Sequence, residues 1–230
     1  MEKLIYLLGD TEAGTVPRAK AALRDTLLET GAPLSAAGAQ QVTCTVADLD
    51  DSHTDSISQF NKHGLLDATV AVWLESVDQR PAIEAVLSPI TNRMAGYLVT
   101  ESVPRALEGH DPAPGERSPG VHLVTSFPKP DWIEDEAFYA CWHGSHTPLS
   151  LEIHPLLQYN RNSVARVMTP GAPDFRAIVN ESVASSEIAA DPVAFYQSEE
   201  GQKRAVKDLL AFVDFDTLST VVMSEYTLVP

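Results

Sequence analysis

One succession of elements is written into this chain twice. Short apolar runs predict strands over 3–8, 41–47, 68–74 and 95–103, the second and third rich in Val and Thr. Between them, helical spacing predicts helices over 16–30, with Val16, Ala19, Leu23, Leu27 and Leu28 on one stripe, and over 80–87. Residues 106–120, ALEGHDPAPGERSPG, then put three prolines and four Gly or Ser among charges, the signature of a linker. After it the order returns, with strands over 120–127, 159–168, 175–184 and 218–228 and helices over 134–153 and 201–212. The closing strands also resemble each other, AGYLVTESVP ending at Pro104 and VVMSEYTLVP at Pro230. The chain therefore reads as an internal duplication, with halves 1–105 and 121–230 joined by the linker 106–120.

A β-α-β-β-α-β unit is the ferredoxin-like arrangement, an antiparallel sheet with both helices on one face, so the fold class is α+β. The other face also needs a cover. In 3–8 both phases of the strand are apolar, Ile5 and Leu7 against Leu4, Tyr6 and Leu8, which predicts burial on both sides. Packing the halves sheet to sheet within the chain supplies that cover. Such a chain needs no second copy to fold, although sheet edges left over could pair, so monomer and homodimer both remain open.

Of the 230 residues, the charged ones leave a net −16, divided as −7 before His110 and −9 from there on. Neither half offers a basic face, which argues against nucleic acid and anionic membranes as partners. No run approaches the roughly 18 apolar residues of a membrane helix, and LIYLL at 4–8 is too short for a signal-peptide core. The expected location is the cytoplasm. Cys44 and Cys141 lie far apart and read as small apolar residues rather than a disulfide. The motifs of nucleotide-binding loops, serine hydrolases and zinc proteases are missing.

Chemistry concentrates in FYACWHGSHTPLSLEIHPLLQYNRNSV, 138–164, which holds three of the seven histidines. On a helix, Phe138, Trp142, Leu149 and Ile153 form one apolar stripe with His146 at its edge, about 40° from Trp142. There His146 is either a core histidine bonded to a backbone carbonyl or a general acid/base near neutral pH. Pro148 removes a backbone donor, which predicts a bend or loosened turn beside His146. His143 and His146 are spaced i, i+3 but lack a third ligand: a continuous helix puts His154 about 16 Å beyond His143. No metal site is expected. Strand alternation puts Tyr159, Arg161 and Ser163 on one face and Asn160 and Asn162 on the other, so one set can face a ligand. Glu181 and Glu225 fall inside strands, where burial would require a partner such as Arg161 or Arg166.

The combination Phe138, Trp142, His146, Pro148, Leu149, Tyr159 and Asn162 resembles the EthD family of dimeric α+β barrel proteins. Glu181 stands where the family commonly has a glutamate, with Val183 in place of the tryptophan that follows. In the first half Trp73 and Ser76 are similar to the same strand pattern, but the first helix has neither the Trp nor the His. The resemblance implies an intrachain version of the dimeric α+β barrel with a complete site only in the second half. It also implies degradation of organic compounds or polyketide-type aromatic metabolism, where some relatives look like dehydratases; related barrels bind haem or act as cofactor-free monooxygenases or isomerases. The leading expectation is a lyase, dehydratase or isomerase acting on a small apolar or aromatic oxygenated substrate without a cofactor. In it His146 is the acid/base, with His143 and Glu181 in the catalytic set and Trp142, Tyr159, Asn162 and Arg161 holding substrate. The alternatives are a non-catalytic binding or accessory protein of a degradation pathway and a haem- or metal-dependent oxygenase on the same fold.

Overall fold

Eight antiparallel strands, each buried on both faces, close on themselves. The computed structural model describes residues 1–9, 20–58 and 61–230. Its strands are β1 (Glu2–Gly9), β2 (Gln41–Val46), β3 (Ala68–Leu74), β4 (Arg93–Arg105), β5 (Val121–Pro128), β6 (Gln158–Val167), β7 (Phe175–Val183) and β8 (Ser219–Val229). Their order round the barrel is β1-β3-β2-β8-β5-β7-β6-β4. Within each half this is the ferredoxin-like order, β4-β1-β3-β2 and β8-β5-β7-β6. The edges expected to be left over are used up by two seams. In one, β2 pairs β8, with Cys44 opposite Tyr226; in the other, β4 pairs β6, with Thr100 opposite Ser163. Every strand has a neighbour on each side, so among the described residues the barrel has no edge strand, and only strand ends such as that of β4 past Val99 lack a partner on one side.

Nine helices are described: α1 (Lys20–Leu28), α2 (Gly31–Ala36), α3 (Ser52–Ser58), α4 (Arg80–Leu87), α5 (Asp135–Tyr139), α6 (Thr147–Ile153), α7 (Ser186–Ala190), α8 (Pro192–Phe195) and α9 (Glu199–Leu209). A π-helical stretch, Ala140–His146, joins α5 to α6. The expected helix over 16–30 is α1 in its described part, and its positions Val16 and Ala19 lie outside the described residues.

Alternation along each strand splits the apolar residues into three bodies. Leu4, Tyr6 and Leu8 face outward in the first half against Leu23, Leu27, Leu34, Ile83 and Leu87. Ile5, Leu7, Tyr97, Val124, Ile178 and Met223 fill the barrel interior. Leu123, Phe127, Tyr159 and Val179 face outward in the second half against Phe138, Trp142 and Phe212. Both cysteines are free, Cys44 buried and Cys141 half-buried. Residues 115–118 run beside β8: Gly115 N–H donates to Thr227 O at 2.7 Å and Ser118 N–H to Glu225 O at 2.8 Å.

Candidate functional site

The second half keeps a cavity of about 310 Å³ between its sheet and its helices. The sheet supplies Leu123, Phe127, Tyr159 and Glu181; the helical layer supplies Trp142, His146, His154, Phe195 and Tyr196. On the first half's outer face, Tyr6, Leu27 and Ile83 pack into a fully buried core.

Pro148 leaves its mark on the helix that carries His146. Thr147 remains helical, φ −60° and ψ −49°, but its N–H donates to Trp142 O, five residues back. Its hydroxyl donates to the same carbonyl at 3.0 Å. The loosened turn expected beside His146 is thus the π-helical stretch, a winding common at functional sites. The chain leaves the helix at His154, which is extended (φ −97°, ψ 139°) rather than a further turn along an axis. His154 lines the same cavity as His146.

His146 Nδ1 lies 2.9 Å from Asp208 Oδ2, and its Nε2 lies 3.3 Å from Ser150 Oγ. Asp208 on α9 also accepts a short hydrogen bond from Ser145 Oγ. The histidine is held by a carboxylate, not by the backbone carbonyl that a core histidine would use. An ionised carboxylate only accepts, so Nδ1 carries the proton and Nε2 keeps its lone pair. Burial pushes the imidazole's pKa below its ordinary value, more strongly than Glu181 and Asp208 pull it up. A neutral imidazole with a basic Nε2 is the form present at neutral pH.

Glu181 is the cavity's charge. Its Oε1 lies 3.8 Å from His154 Nδ1, and both His154 nitrogens lack a hydrogen-bond partner while the ring packs 4.3 Å from Phe195 and 5.2 Å from Tyr196, centroid to centroid. Burial first, then the charge of Glu181, pushes the Tyr159 phenol up, so it stays protonated. Its oxygen lies 3.4 Å from Thr147 Oγ1.

The other sequence candidates lie elsewhere. Arg161 is on the outer face but donates to Thr147 Oγ1 at 2.7 Å, 5.8 Å from the Trp142 ring, outside the cavity wall. His143 packs 4.7 Å from Trp142, with Ser163 Oγ 3.4 Å from Nε2; burial and Arg161 lower its pKa to about 4. Asn162 faces the barrel interior and donates to Ile178 O at 3.0 Å. Neither strand carboxylate takes the expected arginine: Glu225 bonds Ser118 and Asn180, while Arg166 is exposed beside Met168.

Residues 130–216 match the family model described as the EthD domain. The second half of the chain is thus similar to the EthD domain over those residues. Among solved structures, an anthrone oxidase-like protein is 16% identical, with a TM-score of 0.59 over 99% of this chain and 92% of that one. An EthD family protein from Bacillus halodurans is 18% identical over 44% of this chain and 94% of its own, with a TM-score of 0.34. A mutant chlorite dismutase from Candidatus Nitrospira defluvii is 10% identical over 99% and 92%, with a TM-score of 0.49. At 16% identity the first of these is a likeness of fold, over nearly the whole chain. No curated protein matches the sequence.

The span matched by the EthD model includes His146, Glu181 and Asp208, together with the short α7 and α8, at the end of which Phe195 and Tyr196 wall the cavity. Asp208 escaped the sequence reading, yet it carried a signal: a carboxylate in the last turn of a helix opposes the macrodipole, so another group has to hold it there. Among the described residues, no three or more His, Cys, Asp or Glu side chains are grouped to hold a metal ion. A haem would bring propionates to a lining that offers Glu181 and, among the described residues, no Lys or Arg, so the lining does not fit it.

Proposed function

We propose that the EthD-like second half is a proton-transfer enzyme, a lyase, dehydratase or isomerase working on a small, largely apolar oxygenated compound without a resident cofactor. The observation that carries this reading is His146 at the cavity wall with Asp208 on Nδ1. That pairing fixes the tautomer and leaves Nε2 as the base, and burial keeps the ring unprotonated. The Ser150 contact at 3.3 Å is long enough for a substrate proton to displace. Nε2 takes a proton from carbon next to a carbonyl, and the electron pair moves onto the carbonyl oxygen. Tyr159, protonated and in the sheet wall of the same cavity, donates to that oxygen. Return of the proton at another carbon completes an isomerisation. Its delivery to a departing β-hydroxyl, which leaves as water while a C=C bond forms, completes a dehydration. Trp142 and the Phe and Leu residues select for an apolar body.

The test needs no knowledge of the natural product. Aromatic ketones and 1,3-dicarbonyl compounds are incubated in D2O and exchange at the acidic C–H is followed by NMR. The wild type is expected to accelerate exchange, and His146→Gln to remove about 10²–10⁴-fold of that rate, the usual worth of a general base, with little change in melting temperature. Compounds that bind with no exchange would leave a binding or accessory protein instead.

A further inference from the structure

A second cavity, about 290 Å³, opens at one end of the barrel interior, on the opposite side of the sheet from the His146 cavity. The halves contribute jointly: Lys3, Trp73 and Glu101 from the first, Asn160, Asn162 and Glu225 from the second. We propose that it binds a small organic cation rich in N–H donors, an alkylamine or alkylguanidine, with its charged head between Glu225 and the side-chain carbonyls of Asn160 and Asn162.

The hydrogen-bond inventory decides the polarity of the ligand. Asn162 is 2% exposed, and its Nδ2 donates to Ile178 O at 3.0 Å, which fixes the flip of the amide. Its Oδ1 then has no partner, and neither have Asn160 Oδ1 and Gln158 Oε1, which line the same cavity. Asn162 Oδ1 is an acceptor by its amide's own bond, and Asn160 and Gln158 place their carbonyl oxygens beside it with no bond that holds them otherwise, so the complement of the three is a donor. The one ammonium present is already engaged: Lys3 Nζ lies 2.6 Å from Glu101 and 4.4 Å from the centre of the Trp73 ring.

Charge points the same way. Lys3 and Glu101 cancel, while Glu225 accepts from Ser118 Oγ at 3.0 Å and Asn180 Nδ2 at 2.7 Å, both neutral. Its titratable neighbours are His122, 3.8 Å away and wholly buried with Nδ1 turned to Asn180 Oδ1 at 3.0 Å, the buried Cys44 thiol, and Lys3, which feels the charge of Glu225 as well as that of Glu101. One ammonium therefore faces two carboxylates, and the lining keeps a net negative charge in a chain of net charge −16 that attracts cations from solution. At the mouth, Val103 and Leu107 offer hydrocarbon to an alkyl tail.

Titration calorimetry on the full chain tests this with butylamine and agmatine, against butanol and butyrate as neutral and anionic probes of similar length. The expected result is saturable binding of the two cations alone, weakened at least about tenfold by Glu225→Gln, the usual worth of a charge-assisted hydrogen bond. Asn160→Leu, which removes an unpartnered acceptor and no existing hydrogen bond, should weaken it as well and keeps the test open if Glu225→Gln fails to fold. Binding that persists in His146→Gln assigns it to the barrel interior. Absence of amine binding, equal binding of butanol, or affinity unchanged in Asn160→Leu would overturn the proposal.

Discussion

Burial lowers the His146 pKa while Glu181 and Asp208 raise it, and burial prevails. The base form is therefore lost only as pH falls through a value below 6.5, and the acid limb of the proton-exchange rate should have its midpoint there. Asp208→Asn removes one of the raising contributions, so the midpoint should move lower still, with kcat reduced and KM little changed; an unmoved midpoint would detach Asp208 from the histidine. The same shifts enter stability. His143, lowered to about 4, and His146 both bind protons more weakly folded than unfolded. In the window below about 6.5 the unfolded chain holds more protons, so stability is full above it and declines as pH falls toward the folded values. Melting temperatures between pH 7 and 5 should trace that decline, and His143→Gln should flatten it.

A helix of 3.6 residues per turn predicts burial at Phe138, Trp142, Leu149 and Ile153. The structure buries Phe138, Trp142, Thr147, Ser150 and Ile153, and leaves Leu149 half-buried. The step from 142 to 147 is five residues, and this single wide turn shifts the phase of everything after it. Periodicity located the element and its aromatic face, but a local change of winding lies below what a period can resolve. The short α7 and α8 were likewise invisible as helices, because four or five residues make no periodic stripe; their caps at Ser185 and Asp191 hold them instead. Two predictions belong to this element. Gly144 is exposed, and a Cβ there would touch nothing within 4 Å, so its deletion can absorb the wide turn. The variant should keep its far-UV helicity but turn His146 relative to Trp142 and lose the exchange activity. Phe138→Ala, by contrast, empties a fully buried position 5.9 Å from the centres of both Trp142 and Phe212. It should cost about 3–5 kcal/mol in denaturant unfolding.

The duplicated order of elements and the two-phase apolar strands made the two-sheet architecture legible before any coordinates. The closure into a barrel came from the family resemblance and not from the strands themselves, because a strand's sequence says which faces it buries and not which edge meets it. β8 shows what closure adds. Its Val222 lies among the second half's outer core, whereas Tyr226 and Leu228 belong to the first half's. Tyr226 Oη also donates to Asp48 Oδ2 at 2.7 Å. The first half thus completes its core with the last strand of the second, and β2 and β4 find their outer partners there too. Residues 1–105 alone would expose two strand edges and a core open at Leu34 and Val42, a recipe for aggregation. The connection runs beside β8 at 115–118 but stands free earlier: Glu108 and Gly109 are exposed, and a Cβ on Gly109 would meet nothing within 4 Å. A protease site inserted after Gly109 should therefore be cut without releasing the halves. The nicked protein is expected to elute at the intact mass and to melt in one transition by both near-UV and far-UV dichroism. Two separable fragments, or two transitions, would show that the seams are weaker than the halves they join.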